Sequence, residues 1–150
     1  MRVVVSCDHA GFRIKSAVID AIEQSSDKVI DLGTFSSERV DYPDFAEKAG
    51  RAIINGEADR GVVICGSGVG VTITLNKMKG VYACLCHDTY SAHQGVEHDE
   101  MNVLCLGGLT IGPELAKELV VSFLNANLMD VDRYKVRINK IKSIESEFFK

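Results

Sequence analysis

Residues 61–73 read GVVICGSGVGVTI. Val62, Val63, Ile64 and Cys65 form an unbroken apolar run, and glycines follow at 66, 68 and 70. A run without in/out alternation is the pattern of a strand covered on both faces, as in a parallel sheet. Glycines at its end permit a tight turn, and the apolar stretch beyond them reads as the start of a helix. Strand, glycine turn and helix in succession open a βαβ unit.

The same kind of run recurs on either side: VVVSC at 3–7, VID at 29–31, VYACLC at 81–86 and VLCLG at 103–107. Helical spacing lies between these runs. In 12–23, Ile14, Ala17, Val18, Ala21 and Ile22 form one apolar stripe, with Lys15, Asp20 and Glu23 elsewhere. In 114–124 the stripe is Leu115, Leu119, Val120 and Phe123, behind Pro113 at a first helical turn. Segment 44–54 is a weaker third case. The alternation predicts one Rossmann-like, doubly wound α/β domain over 1–150, with about five parallel strands. In 133–149, Ile138, Ile141, Ile144 and Phe148 recur on an otherwise charged helix. A sheet already covered on both faces has little room for it. The expectation is that it packs across a partner subunit, the alternative being a helix folded back on its own domain.

Bulk properties narrow the function classes. The chain has 150 residues, 46% hydrophobic and 25% charged, with a net charge of −4 and no Lys/Arg run. That disfavours a nucleic-acid surface. No apolar segment approaches the roughly 20 residues that span a bilayer, and the apolar start of the chain breaks at Asp8. Five cysteines, at 7, 65, 84, 86 and 105, are an odd number without an export signal. They predict free thiols in a reducing cytoplasm, mostly serving as small hydrophobes.

In a doubly wound sheet, ligands sit outside the carboxyl ends of the strands. Those ends read Cys7-Asp8-His9, Cys65-Gly66-Ser67-Gly68, Cys86-His87-Asp88 and Gly107-Gly108. The glycine loop fits the first two places of the dinucleotide fingerprint, but the third falls on Val71, with Gly70 one place early. Asp88 could imitate the ribose-binding acid. A P-loop is excluded, because no Gly-Lys-Ser/Thr follows. What remains is a set of backbone N–H groups at a helix start, able to cradle a phosphate or an oxyanion. Cys65, immediately before them, is placed to act as a base; a buried structural cysteine is the competing reading. Cys84, Cys86, His87, Asp88 and His93 crowd one window, yet no second Cys/His pair gives zinc spacing. No metal is expected, with Cys84 and Cys86 as buried strand residues and His93 at the surface.

CDHAGFRIK (7–15), DYPDFA (41–46), ICGSGVGVTITLNK (64–77), CHDTYSA (86–92), EHDEMNVLCLGG (97–108) and IGPELA (111–116) together resemble the successive motifs of type B ribose-5-phosphate isomerases. The galactose-6-phosphate isomerase subunits share the frame. The resemblance implies cofactor-free and metal-free aldose–ketose isomerisation of a sugar phosphate through an enediolate, as in the pentose phosphate pathway. It also implies a homodimer, or a dimer of dimers, with sites near the subunit interface. Cys65 matches the proton-transfer base. Gly66, Ser67, Gly68, Val69 and Gly70 match the loop whose N–H groups hold the oxyanion, with Ser67 where the family often has Thr. His98 matches the ring-opening histidine. Asp8, His9 and Tyr42 match substrate-contacting positions, and Arg133 and Arg137 match a pair that grips phosphate. Asp99 stands where Asn is common, and Leu109 where a further arginine often follows. These departures bear on the phosphate end and leave open a substrate of different length, a six-carbon one such as allose or galactose 6-phosphate. From a different class, the alternative is a module that binds a phosphometabolite without turnover.

Overall fold

The computed structural model describes residues 1–25 and 27–149. Five strands form one parallel sheet: β1 (Arg2–Cys7), β2 (Lys28–Asp31), β3 (Arg60–Cys65), β4 (Ala83–Leu85) and β5 (Val103–Gly107). The helices are α1 (Phe12–Gln24), α2 (Tyr42–Ile54), α3 (Val69–Leu75), α4 (Thr89–Asp99), α5 (Pro113–Asn125) and α6 (Asp132–Phe148). The strand order is β2-β1-β3-β5-β4. This is the Rossmann-like sheet expected from the apolar runs. Among the described residues, no helix is long and apolar enough to cross a membrane.

Both faces of the sheet are apolar because both are covered. Val3, Val5, Val62, Ile64, Leu104 and Leu106 face α1, α4 and α5, where Ile14, Val18, Leu119 and Phe123 meet them. Val4, Val63, Val103 and Cys105 face α2 and α3, against Ala46, Ala49, Val71 and Leu75. Alternate residues of one strand therefore enter two different cores, so the sequence shows an unbroken run. Burying each larger side chain contributes about 1.5–3 kcal/mol.

The connections set the position of the ligand crevice. From β1 the chain crosses outward to β2; from β3 it crosses the other way, to β4. β1 and β3 are neighbours, with Cys7 opposite Ile64. The direction of winding reverses between them, and a crevice opens beyond their carboxyl ends.

Two expectations need correction. β4 covers only Ala83–Leu85, because it is an edge strand with a single neighbour, β5. Cys84 is consequently exposed rather than buried, while Cys86 is buried beyond the strand's end. Lys15, assigned to a polar face of α1, is instead 6% exposed. Its Nζ reaches both oxygens of Asp31 at 2.9 and 3.1 Å and the carbonyl of Thr34 at 2.6 Å.

The first half of α6 folds back on its own chain. Tyr134 and Ile138 are buried, and the helix packs against α4. Farther along, Glu145 accepts hydrogen bonds from Gly80 N–H (2.7 Å) and the Tyr82 hydroxyl (3.0 Å). Ile141, Ile144 and Phe148 remain exposed.

Candidate active site

Loops after β1, β3 and β5 converge on the crevice. Asp8 N–H donates to Ile64 O at 3.1 Å, joining the end of β1 to β3. The Asp8 carboxylate, 5% exposed, accepts from Gly11 N–H at 2.9 Å and fixes the turn into α1. From the other side, Gly108 N–H donates to Cys65 O (2.8 Å) and Leu109 N–H to Gly66 O (2.9 Å). The glycine loop is thus held between two neighbours.

Within that loop, Cys65 Sγ is buried and accepts from Gly68 N–H at 3.2 Å. Gly68 has φ +78°, and a β-carbon there would stand 2.9 Å from the backbone of Leu106. Only glycine meets both conditions. Ser67 is exposed, its Oγ accepting from Val69 N–H at 3.3 Å. α3 has only seven residues, so the field at its start is small and the individual N–H groups of the loop matter more.

The loop between β2 and α2 closes the other side. The Lys15 bonds described above anchor its start. Near its end, Val40 N–H donates to His9 Nδ1 at 3.2 Å. This bond makes Nδ1 the acceptor, so in neutral His9 the proton lies on Nε2. Tyr42, in the first turn of α2, packs on Gly70. Asp8, His9 and residues 39–44 enclose a hollow of about 520 Å³.

His98, Asp99, Arg133 and Arg137 lie elsewhere. α4 starts beyond the carboxyl end of β4 and runs back to the start of β5, so His98 sits at the opposite edge of the sheet from Cys65. The five residues of β5 alone separate the two edges by roughly 15 Å. There the His98 ring stacks on Tyr134, with centroids 4.0 Å apart, and its Nδ1 lies 3.0 Å from Gln94 Nε2. Asp99 accepts from the same Gln94 amide at 3.1 Å. Arg133 donates to the Tyr134 hydroxyl at 3.1 Å, its guanidinium 4.7 Å from that ring. Arg137 is exposed one turn further on. The chain therefore gathers Asp8, His9, Tyr42 and residues 65–70 at one edge, and the remaining four candidates at the other.

The other chemistry-bearing residues are engaged. Asp88 caps α4, accepting from Ser91 N–H at 2.7 Å, and that bond holds its carboxyl below the usual range. His87 Nε2 accepts from Gly107 N–H at 3.2 Å, and His93 pairs with Glu97 at 3.0 Å. Among the described residues, no three His, Cys, Asp or Glu side chains converge on one ion position. Burial pushes the Cys7 thiol up to about 11 and those of Cys86 and Cys105 to about 12. These three stay protonated at neutral pH and belong to the core.

A model of the ribose/galactose isomerases matches residues 3–141. The chain belongs to that family. It is 40% identical over 144 residues to ribose-5-phosphate isomerase B of Escherichia coli, covering 96% of each chain. Ribose-5-phosphate isomerase B of Clostridium thermocellum superimposes with a TM-score of 0.93 at 38% identity, covering 99% of both chains. The enzyme of Mycoplasma genitalium with bound ribulose 5-phosphate gives 0.89 at 34% identity, covering 97% of both.

Sequence reasoning missed Lys15, Arg39, Gln94 and Tyr134 as neighbours of the site. Gln94 carries the signal of helical spacing, four residues before His98 on α4, and Tyr134 stands four before Ile138 on the apolar side of α6. Arg39 lies in a loop without periodicity, and only its position two residues before Asp41-Tyr42 marks it.

Proposed function

We propose that this chain interconverts ribose 5-phosphate and ribulose 5-phosphate, with Cys65 as the proton-transfer base. The carrying observation is Cys65 as the last residue of β3, beside β1 at the switch point of the sheet, its sulfur joined to the glycine loop at 3.2 Å. The family to which the chain belongs supports the substrate class.

The Cys65 thiolate takes the proton from C2 of the open-chain aldose. The C–H electron pair becomes the C1=C2 bond, and the carbonyl electrons move onto O1. N–H groups of the loop 66–70 other than those of Gly68 and Val69, which bond Cys65 and Ser67, would hold that oxyanion, the group whose charge develops in the transition state. Return of the proton to C1, with O2 losing its hydroxyl proton and O1 gaining one, gives the ketose. No atom is gained or lost. Tyr42, Asp8 and the Nε2–H of His9 line the hollow where the sugar hydroxyls would lie.

Ring opening needs a second acid–base group, and His98 is remote within one chain. A homodimer resolves this: His98 of the partner subunit opens the ring, and Arg133 of the partner subunit and Arg137 of the partner subunit bind the phosphate. The exposed Ile141, Ile144 and Phe148 on the same helix support burial against a second copy.

The test is ribulose 5-phosphate formation from ribose 5-phosphate, in the presence of EDTA, by the native chain and by Cys65→Ala. Native turnover unaffected by the chelator and reduced about a thousandfold or more in the variant is expected. Undiminished turnover by Cys65→Ala moves the base elsewhere. An inactive, folded native chain directs the assay to allose and galactose 6-phosphates, the alternative substrates.

A further inference from the structure

Arg39 lies in none of the motifs that carry the family resemblance. Its side chain is exposed and lines the 520 Å³ hollow beside Asp8, His9 and Tyr42. Arg2, Arg51, Arg60 and Arg133 each hydrogen-bond within the chain. Arg39 has no such partner among the described residues, so its five donors face solvent and the hollow.

The backbone that delivers it is fixed at both ends. Lys15 grips Thr34 O at 2.6 Å on one side, and Val40, the next residue, bonds His9 at 3.2 Å on the other. Arg39 therefore leaves the chain one residue before the Val40–His9 bond, at the rim of the hollow that His9 also lines.

Charge makes the position informative. Asp8, Asp41 and Asp44 belong to the same wall, and Arg39 is the one Lys or Arg among its lining residues. Neither the glycine loop 66–70 nor the loop 107–112 contains a basic residue. A sugar-phosphate dianion entering against three carboxylates needs a cation on this side of the crevice. Arg39 is placed to supply one, in the planar geometry suited to a phosphate.

The geometry points to Arg39 as a phosphate-binding residue contributed by the same chain as Cys65, in addition to the arginines of α6. This assignment rests on the isomerase reading for the identity of the substrate, but its test includes binding alone.

The experiment titrates inorganic phosphate into native protein, Arg39→Ala and Arg51→Ala, and measures ribose 5-phosphate kinetics of each. Arg51→Ala removes the same charge from the exposed, Glu47-paired end of α2 and controls for net charge. Arg39→Ala is expected to weaken phosphate binding about tenfold or more and to raise KM in parallel, with kcat within about twofold of native. Arg51→Ala is expected to match native. Phosphate affinity and KM unchanged in Arg39→Ala overturn the assignment and leave the isomerase reading standing. Native protein that binds phosphate through Arg39 but converts no sugar phosphate sinks the isomerase reading and keeps the assignment. Native protein with no affinity for phosphate overturns the assignment too, as does a loss confined to kcat.

Discussion

The ring of Tyr42 lies so close against Gly70 that a β-carbon on Gly70 would stand 2.5 Å from the tyrosine Cζ. The first turn of α2 and the glycine loop after β3 are thereby locked in register. A Gly70→Ala change forces the ring aside. Tyr42 is 40% exposed, so it can swing outward without opening the core. Stability is expected to stay within about 1 kcal/mol of native. The displaced ring and loop are expected to lower kcat/KM tenfold or more, since small misplacements near reacting groups are costly. Thermal unfolding and steady-state kinetics on the same preparation check this; native kcat/KM in Gly70→Ala removes Tyr42 from the site.

The division of candidate residues between two sheet edges makes a sharper prediction. If each site joins Cys65 of one subunit to His98 of the partner subunit, then Cys65→Ala and His98→Ala are each inactive alone but complement one another. After dissociation and mixing in equal amounts, half of the dimers are mixed, and each mixed dimer holds one intact site. Activity should return to about a quarter of native, as two-fold symmetry requires. Recovery near zero, with subunit exchange verified by mass, places both residues' functions within one chain.

The sequence announced the sheet clearly because its strands are buried on both faces; VLCLG at 103–107 matches β5 residue for residue. Legibility failed at the edges. VYACLC reads like the other runs, but β4 has one neighbour, and Cys84 and Leu85 reach the surface. Local pattern does not encode which strand ends the sheet. The crevice was legible because ligand residues follow strand ends, which are visible as a change from apolar to Asp, Gly and His. Its second cluster was not, since the position of His98 depends on the direction in which α4 runs back across the sheet. Lys15 is missed for a different reason: a cation on a helix reads as solvated until a half-buried carboxylate, here Asp31, comes from another element.

That lysine supports a further prediction. Lys15 Nζ lies 5.5 Å from the Phe12 ring and 4.4 Å from the Phe35 ring, besides its bonds to Asp31 and Thr34 O. Truncation to alanine leaves a half-buried carboxylate and a carbonyl without their cation, at a cost of about 1–3 kcal/mol. Lys15→Met keeps the aliphatic stem and should cost less than alanine. Both variants are expected to raise KM as well, because the same contact holds the loop that carries Val40, Arg39 and Tyr42 to the site. Urea unfolding measures the first effect and kinetics the second. A stability loss with native KM makes Lys15 purely structural.

Alkaline pH should weaken the fold through its buried thiols. Burial raises Cys7 to about 11 and Cys86 and Cys105 to about 12, from the ordinary thiol value of 9.0. The sign follows from proton binding. Above pH 9 the unfolded chain releases these protons while the folded chain retains them, so stability is present in full below about pH 9. It is lost as pH rises toward 11 and 12, each thiol contributing up to about 1.4 kcal/mol per pH unit. Urea midpoints at pH 8, 9, 10 and 10.5 should therefore fall with increasing steepness. Cys105→Ala, although weaker throughout from the lost volume, should show a shallower fall over that range, since one of the groups held protonated by the fold is gone. Parallel curves for native and Cys105→Ala would mean that Cys105 titrates alike in the folded and unfolded states, and the alkaline loss would then arise from other groups.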